Sequence, residues 1–192
     1  VTHADNVKAQ FGGSNDLEIY HDGGDTYIKE SGTGALYIAS NEIKLTNAGV
    51  SENVLVGVED GTVRLYHNNV NKLETTANGV TVTGTAVAST ATFPSNSGNL
   101  LLDFGAYQNF VYGLTGNATL VNPSTEQVGQ SGFITFTQDG TGGRTVALGT
   151  DFETAGGAGL TLTSTANATD VIPYIVVASN RILLGAPQLA FA

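Results

Sequence analysis

The sequence predicts an all-β protein. No window shows apolar residues recurring at helical spacing over more than about two turns. Short segments of β-favouring residues instead alternate with turn clusters such as residues 22–25 and 59–61. Only 12% of the residues are charged, against roughly 25% in an average soluble domain. This composition indicates a neutral, polar surface built from short side chains.

Six short strands are predicted in the first half of the chain. They are residues 17–20, 26–29, 36–38, 42–45, 54–58 and 62–66. Because tight turns separate them, these strands predict a meander or a coil rather than a set of long, flat strands.

The first half also contains an internal repeat. Residues 16–22 (DLEIYHD) match residues 62–68 (TVRLYHN), with a spacing of 46 between Tyr20 and Tyr66. The match continues downstream, where residues 27–30 match 71–74 one or two positions out of register and residues 34–38 match 79–83 at a spacing of 45.

A repeated unit of this size usually buries its apolar face by stacking on a copy of itself. Two copies are fewer than the three or so that an isolated solenoid needs. The repeat therefore predicts that identical chains associate laterally to close the core. The residues expected to supply this shared core are Leu17, Ile19, Ile28, Leu36, Ile38, Ile43, Leu45, Leu55, Leu65 and Leu73.

A change in composition predicts two domains, residues 1–94 and 95–192. The charge-free stretch 83–92 is followed by the turn-rich residues 94–98, which mark the junction. The strands predicted after it are residues 100–104, 109–114, 132–137, 144–148, 160–163, 171–177 and 181–184. Short strands with regular turn signals predict a β-sandwich or jelly-roll-like C-terminal domain.

Both halves carry a family resemblance. Residues 16–23 with 27–30, and residues 63–68 with 72–84, resemble repeats in tail fibre proteins of tailed phages, notably marine ones. The second half resembles another phage and prophage fibre module, on the blocks 114–120, 129–132, 138–144 and 165–168.

The resemblance implies a trimeric appendage of the virion with a role in host recognition. Residues 1–94 would form a trimeric, fibre-like shaft of short strands similar to a β-prism or β-helix, and residues 95–192 its head. The implied partners are two further copies in a homotrimer, other tail or baseplate proteins, and a glycan or protein on the host surface. The implied location is the extracellular particle.

Charge and composition make other partners unfavourable. Seven Lys and Arg against 17 Asp and Glu give a formal charge of -10, which opposes binding to nucleic acid or to an anionic membrane. Cysteine is absent, which excludes disulfides and thiolate metal sites. No run approaches the ~20 apolar residues of a membrane helix. Because the sequence begins at Val1 rather than Met, we expect a longer upstream part.

Three loops of the second half are the predicted receptor contacts, because loops vary without disturbing the strands that carry them. They are residues 122–126, 139–144 and 155–159. The individual residues predicted to contact a receptor are Asn122, Ser124, Thr125, Glu126, Asp139, Thr141 and Arg144.

Other side chains have structural interpretations that outweigh a ligand role. His21 and His67 lie at equivalent repeat positions, but they lack the clustered spacing of metal ligands. Tyr20 and Tyr66 are expected to stack along an intersubunit core, with a sugar platform as the alternative. Acidic residues such as Asp22 are expected to stabilise turns. We predict no metal and no cofactor.

The sequence favours a structural protein over an enzyme. It contains no nucleophile-elbow motif and no Cys nucleophile. The glycines at 140–143 lack the Lys of a phosphate loop, so residues 139–140 are expected to connect a hairpin. Glycoside cleavage needs two facing carboxylates. The sequence singles out no pair among Glu18, Asp22, Glu30, Asp103, Asp139, Asp151, Glu153 and Asp170.

Two alternatives remain open beside the tail fibre. A capsid-decorating or head fibre protein would share the strand-rich trimer but bind the shell of the particle. A tailspike that degrades polysaccharide would need a groove with opposed carboxylates.

Overall fold

The computed structural model describes residues 2–191, which divide into two compact units between Thr85 and Ala86. Both units are built from β-strands, as the sequence predicts, and the described residues contain one 3₁₀ turn, Ala155–Gly157, and no α-helix. None of these residues forms a helix that is long and apolar enough to span a membrane.

The first unit contains two separate antiparallel sheets. The smaller sheet consists of β1 (Ala9–Phe11), β2 (Leu17–His21) and β3 (Thr26–Glu30). The larger is a five-stranded meander of β4 (Glu42–Thr46), β5 (Asn53–Val58), β6 (Val63–His67), β7 (Val70–Thr76) and β8 (Gly79–Val82). Five of the six strands predicted for this half are therefore confirmed.

The internal repeat corresponds to a repeated hairpin, β2–β3 and β6–β7. Ile19 lies opposite Ile28 in the first hairpin, and Leu65 lies opposite Leu73 in the second. Residues 22–25 connect the first hairpin, whereas only Asn68 and Asn69, both with positive φ, connect the second. The second turn is two residues shorter than the first, and a bulge in the second hairpin adds one residue to β7. The spacing therefore falls from 46 to 45 across the repeat.

The five-stranded sheet has one aliphatic face and one polar face. Its aliphatic face carries a row of residues that lie opposite one another across all five strands: Leu45, Leu55, Leu65, Leu73 and Val82. Leu45, Leu65 and Val82 are 56%, 42% and 47% exposed. The other face carries the Arg64–Glu74 ion pair, with an N···O distance of 3.1 Å.

The three-stranded sheet has the same division of faces. Ala9, Ile19 and Ile28 lie in one row, and both isoleucines are exposed. On the opposite face, Glu18 is buried and accepts hydrogen bonds from Lys8 Nζ and Gln10 Nε2, each at 2.9 Å. Both sheets thus expose most of their aliphatic row, while their ion pairs lie on the opposite face.

The predicted strand 36–38 is wrong, because these residues pair with no strand among those described. Leu36, Tyr37 and Ile38 are instead exposed in an irregular segment between β3 and β4. Alternation alone does not make a strand, since a strand also needs a neighbour for its backbone groups.

The second unit is one eight-stranded mixed sheet. Its strands are β9 (Thr90–Leu100), β10 (Asn109–Leu120), β11 (Ser131–Gln138), β12 (Val146–Leu148), β13 (Phe152–Thr154), β14 (Thr169–Ala178), β15 (Arg181–Leu184) and β16 (Gln188–Phe191). β10 pairs in parallel with β9 along one edge and with β11 and then β12 along the other.

Parallel neighbours require the chain to cross back over the sheet, and these crossings build the core. Residues 101–108 return from β9 to the start of β10 and bury Leu102 and Phe104. Tyr112 donates a hydrogen bond from Oη to the Leu101 carbonyl at 2.8 Å, and Tyr174 donates to Gln108 O at 2.6 Å. The crossing segment is therefore held by both packing and buried tyrosines.

The predicted β-sandwich or jelly roll differs from this arrangement. The unit has one sheet instead of two facing sheets. Residues 149–151 join its end strands β12 and β13 and span at most about 14 Å. The sheet must therefore curve to bring its two ends together. The predicted strand 160–163 is also wrong. Leu160 and Leu162 pack against the core from an irregular segment.

The stretch 94–98, where the sequence predicts the domain junction, lies within β9. Pro94 has no N–H to donate, and it occupies an irregular stretch of pairing between β9 and β10. Gly113 lies against the Pro94 carbonyl, where a side chain would clash. The turn-forming residues thus mark a bulge rather than a linker.

Candidate functional site

The predicted receptor loop 139–144 lies between β11 and β12. The expected hairpin at this position is wrong, because β11 and β12 pair in succession with the same edge of β10 and run in the same direction. The loop is thus an insertion between two strand segments. A hairpin and an insertion have the same turn residues, so the local sequence could not separate them.

Hydrogen bonds close the base of this loop. The buried Gln138 side chain accepts from Arg144 N at 2.8 Å and donates to Arg144 O at 2.9 Å. Asp139 Oδ2 accepts from Arg144 Nε at 3.1 Å and from the guanidinium Nη2 at 2.8 Å. The Arg144 hydrogen bond is the main cause that lowers the pKa of Asp139.

The loop also rests on a neighbouring segment. Gly143 N donates to Ser164 O at 2.9 Å, and Asn167 N donates to Asp139 O at 3.0 Å. Gly142 has a φ of 73°, and a Cβ at this position would clash with the Ser164 carbonyl. Of the three residues predicted to contact a receptor here, only Thr141 is exposed, since Asp139 and Arg144 are partly buried and bind each other.

The loop 122–126 is fixed to two other parts of the unit. Asn122 donates to Thr150 Oγ1 at 2.7 Å and accepts from Asp151 N at 3.2 Å. Thr125 Oγ1 accepts from Phe104 N at 2.9 Å, which ties the loop to the crossing segment. Glu126 is partly buried and Ser124 is exposed. A loop position predicts tolerance to variation at these residues, whereas Asn122 and Thr125 position the backbone through their side chains.

The predicted receptor loops differ in their local contacts. Within the described part of the chain, no hydrogen bond or ion pair joins residues 122–126 to residues 139–144. The third loop, 155–159, contributes Gly157 and Gly159 to a cavity of about 360 Å³ beside β13.

A groove beside β9 was not found from the sequence. It has a volume of about 380 Å³, and its lining includes Phe93, Asn99, Asp103 and Tyr107. Phe93 stacks on the buried Tyr112, with ring centroids 4.9 Å apart and planes 13° apart. One face of Phe93 is thus covered and the ring is still 38% exposed. The crossing at 101–108 brings these residues together, and local sequence carries no signal for it.

In the first unit, Tyr20, Tyr27 and His21 have local partners. Tyr20 stacks on Tyr27 with centroids 4.7 Å apart, and Lys8 lies over the Tyr20 ring at 4.8 Å. These contacts are on the polar face rather than in the aliphatic row. His21 Nδ1 lies 3.2 Å from Thr26 Oγ1. Among residues 2–191, no group of three or more His, Asp or Glu side chains has a geometry suited to a metal ion.

Acidic side chains of both units accept hydrogen bonds from backbone N–H groups and from Lys or Arg side chains. Asp22 Oδ1 accepts from Gly24 N at 2.9 Å and Asp25 N at 2.8 Å, which confirms its expected role in a turn. These backbone hydrogen bonds, with that of Asp25 the larger, lower the pKa of Asp22. A hydrogen bond from Lys8 lowers the pKa of Glu18, and a hydrogen bond from Arg181 lowers the pKa of Glu153. A general acid for glycoside cleavage needs a raised pKa instead.

A buried carboxylate anchors irregular segments in the second unit. Asp170 is 2% exposed and accepts from Thr163 N at 2.6 Å, Thr163 Oγ1 at 2.8 Å and Ala190 N at 2.9 Å. It therefore ties the segment before β14, and β16 after it, to the sheet.

The second unit is thus a curved mixed sheet with a self-contained core and fixed surface loops. Residues 105–178, which run from the first crossing to the end of β14, match a family model described as "Putative phage tail fibre C-terminal domain". This match supports a structural role in a phage tail fibre and a location with the virion. All four sequence blocks that resemble a fibre module lie within the matched residues.

Comparison with curated proteins and with solved structures finds no significant match.

Proposed function

We propose that the chain is a non-enzymatic segment of a phage tail fibre that assembles as a homotrimer and attaches the particle to the host surface. The observation that carries the proposal is the exposed aliphatic face of the first unit. Its central row has no charged residue and crosses all five strands. An exposed apolar patch of this kind usually marks an association surface.

A second copy of the chain is the partner that fits this face best. The chain carries a formal charge of -10, so copies repel each other wherever acidic surfaces meet. The uncharged aliphatic row lets copies approach without that repulsion, while the polar face keeps its ion pairs in solvent. The resemblance to fibre repeats sets the number of copies at three.

Light scattering tests the assembly. We expect a molar mass three times the chain mass of 19.7 kDa. Leu65→Lys places a charge at the centre of the aliphatic row and should reduce the mass to that of one chain. Thr81→Lys is the matched control, because Thr81 lies opposite Glu74 on the polar face. A single-chain mass for the unsubstituted protein would refute the homotrimer.

The trimer supports attachment through multivalency. Three copies per fibre convert weak contacts into strong retention, so no single site needs high affinity. The proposed contacts are the exposed tips of the predicted loops, with Ser124 and Thr141 as representatives. The partners are a glycan or protein of the host surface and, at the other end, tail or baseplate proteins.

Retention on an array of bacterial lipopolysaccharides and capsular polysaccharides tests the loop contacts. Thr141→Tyr and Ser124→Tyr enlarge the tips without removing the Asp139–Arg144 or Asn122–Thr150 contacts, and each should lower retention. Ser179→Tyr, at an exposed turn outside the loops, is the control. Equal retention of all three variants would exclude these tips as contacts.

Two measurements separate the alternatives. Antibodies raised against the protein should label the tail of the particle, whereas a capsid-decorating or head fibre protein would be labelled on the shell. Incubation with the same polysaccharides should release no reducing ends. Release would identify a depolymerising tailspike instead.

A further inference from the structure

Residues 34–38 have the composition of a strand but no strand beside them. Leu36, Tyr37 and Ile38 are 44%, 88% and 65% exposed. Residues 33–39 make no hydrogen bond, through backbone or side chain, with any other part of the described chain. Three large apolar side chains and a row of free backbone groups are therefore presented to solvent together.

The internal repeat shows where such a segment belongs. Residues 34–38 match residues 79–83, and Gly79–Val82 is strand β8 in the second copy of the repeat. There β8 covers the outer edge of β7. The strand equivalent to β7 in the first copy is β3, and its outer edge is open. The first copy thus has both an uncovered edge and an unpaired strand.

Folding back onto its own β3, as β8 does, would place the segment on the wrong face. In the second copy a two-residue turn sets Thr81 opposite Glu74 on the polar face and Val82 opposite Leu73. The same turn in the first copy would set Leu36 opposite Lys29, on the face where Glu18 is buried. Ile38 would follow Leu36, because alternate residues share a face.

We infer that residues 34–38 of one chain add as an antiparallel strand to the open β3 edge of a neighbouring copy. A neighbour is free of the two-residue turn, so Leu36 and Ile38 can lie on the same face as Ile19 and Ile28. In a three-fold ring each chain gives one strand and receives one, which closes every such edge. This inference rests on the proposed homotrimer.

Cysteine cross-linking tests the strand addition, because the chain has no cysteine of its own. Two alignments place Leu36 and Ile38 on the aliphatic side, and they set Lys29 opposite either Tyr37 or Ala35. The double variants are therefore Lys29→Cys with Tyr37→Cys, and Lys29→Cys with Ala35→Cys. After mild oxidation, one of them should give covalent dimers and trimers on a non-reducing denaturing gel, reversed by reductant.

The single variants are the matched controls, since one thiol per chain can join two chains at most. Loss of free thiols with only a single-chain band would show that the segment pairs within its own chain and would overturn the inference. Free thiols in both double variants would also overturn it.

Light scattering distinguishes this failure from failure of the proposed function. A three-chain mass without interchain cross-links removes the strand addition and leaves the homotrimer, whereas a single-chain mass for the unsubstituted protein removes both. If neither double variant assembles, hydrogen exchange of the unsubstituted protein decides. Amides of residues 35–38 should exchange as slowly as those of 79–82, and fast exchange would refute the added strand.

Discussion

The two units of this chain are both built from β-strands, yet they treat apolar side chains in opposite ways. In the described residues, the first unit buries one apolar residue, Val56, and exposes sixteen large ones. The second unit buries nineteen apolar residues and exposes ten large ones. Both units form strands, but only the second encloses a core within one chain.

The difference follows from how the strands are connected. In each sheet of the first unit the strands follow one another in sequence order as antiparallel neighbours. In the second unit, crossing segments bring Leu102, Phe104 and Leu160 over the sheet. Fully burying one Leu or Val stabilises a protein by about 1.5–3 kcal/mol. The proposed association of copies would supply part of that stabilisation to the first unit.

The largest expected effect is the loss of a core aromatic in the second unit. Phe136 is 1% exposed and packs near Tyr112, with centroids 6.0 Å apart. Phe136→Ala should lower the free energy of unfolding of this unit by about 3–5 kcal/mol. Urea denaturation followed by circular dichroism measures it. A loss below about 1 kcal/mol would mean that this core is less closely packed than described.

A smaller loss is expected at Asp170, which accepts three hydrogen bonds in the second unit. Asp170→Ala leaves the Thr163 and Ala190 donors without their buried acceptor and should cost about 1.5–3 kcal/mol. Asp170→Asn keeps an acceptor oxygen and should cost less. If both variants unfold at the same urea concentration as the unsubstituted protein, the segments are not held by this carboxylate.

Dilution should lower the unfolding temperature of the first unit only. Thermal unfolding of an assembly depends on chain concentration, whereas unfolding of a self-contained domain does not. We expect two transitions in differential scanning fluorimetry of the full chain, and a hundredfold dilution should lower one of them by several degrees. Two transitions that both ignore concentration would remove the contrast between the units.

The smallest effect concerns acid stability of the loop 139–145. The pKa of Asp139 is lowered in the folded protein, mainly by Arg144, so its contribution is present above the unfolded value of about 3.9 and is lost as pH falls through the folded value. Arg144→Met should therefore lower the Tm at pH 6. The difference from the unsubstituted protein should disappear at the acid end of a pH series. A constant difference would assign the effect to packing.

Much of the fold could be predicted from residue patterns. Alternation identified β2 to β6, and the repeat of Tyr20 at Tyr66 coincides with the repeated hairpins β2–β3 and β6–β7. It failed where alternating residues lack a neighbour, as at Leu160 and Leu162, which cover a core without forming a strand. It also failed at Pro94, because turn-forming residues at an edge-strand bulge resemble a domain linker.

The candidate site was less accessible to sequence reasoning. Asp139 and Arg144 were chosen because they lie in a loop, and their mutual ion pair could not be deduced from their spacing alone. The groove at Phe93 depends on a parallel crossing that brings Tyr107 and Asp103 beside it. Contacts of this kind depend on how the strands pair across the whole sheet, so the sequence around each residue does not predict them.

The pairing of both β11 and β12 with β10 leaves the residues between them free to vary. Both ends of the insertion 139–145 are fixed to β10, and the Gln138 and Arg144 contacts close its base. The outermost residues, Gly140 and Thr141, can then change identity or number while the strands keep their alignment. This position is therefore suited to the insertion of foreign peptides.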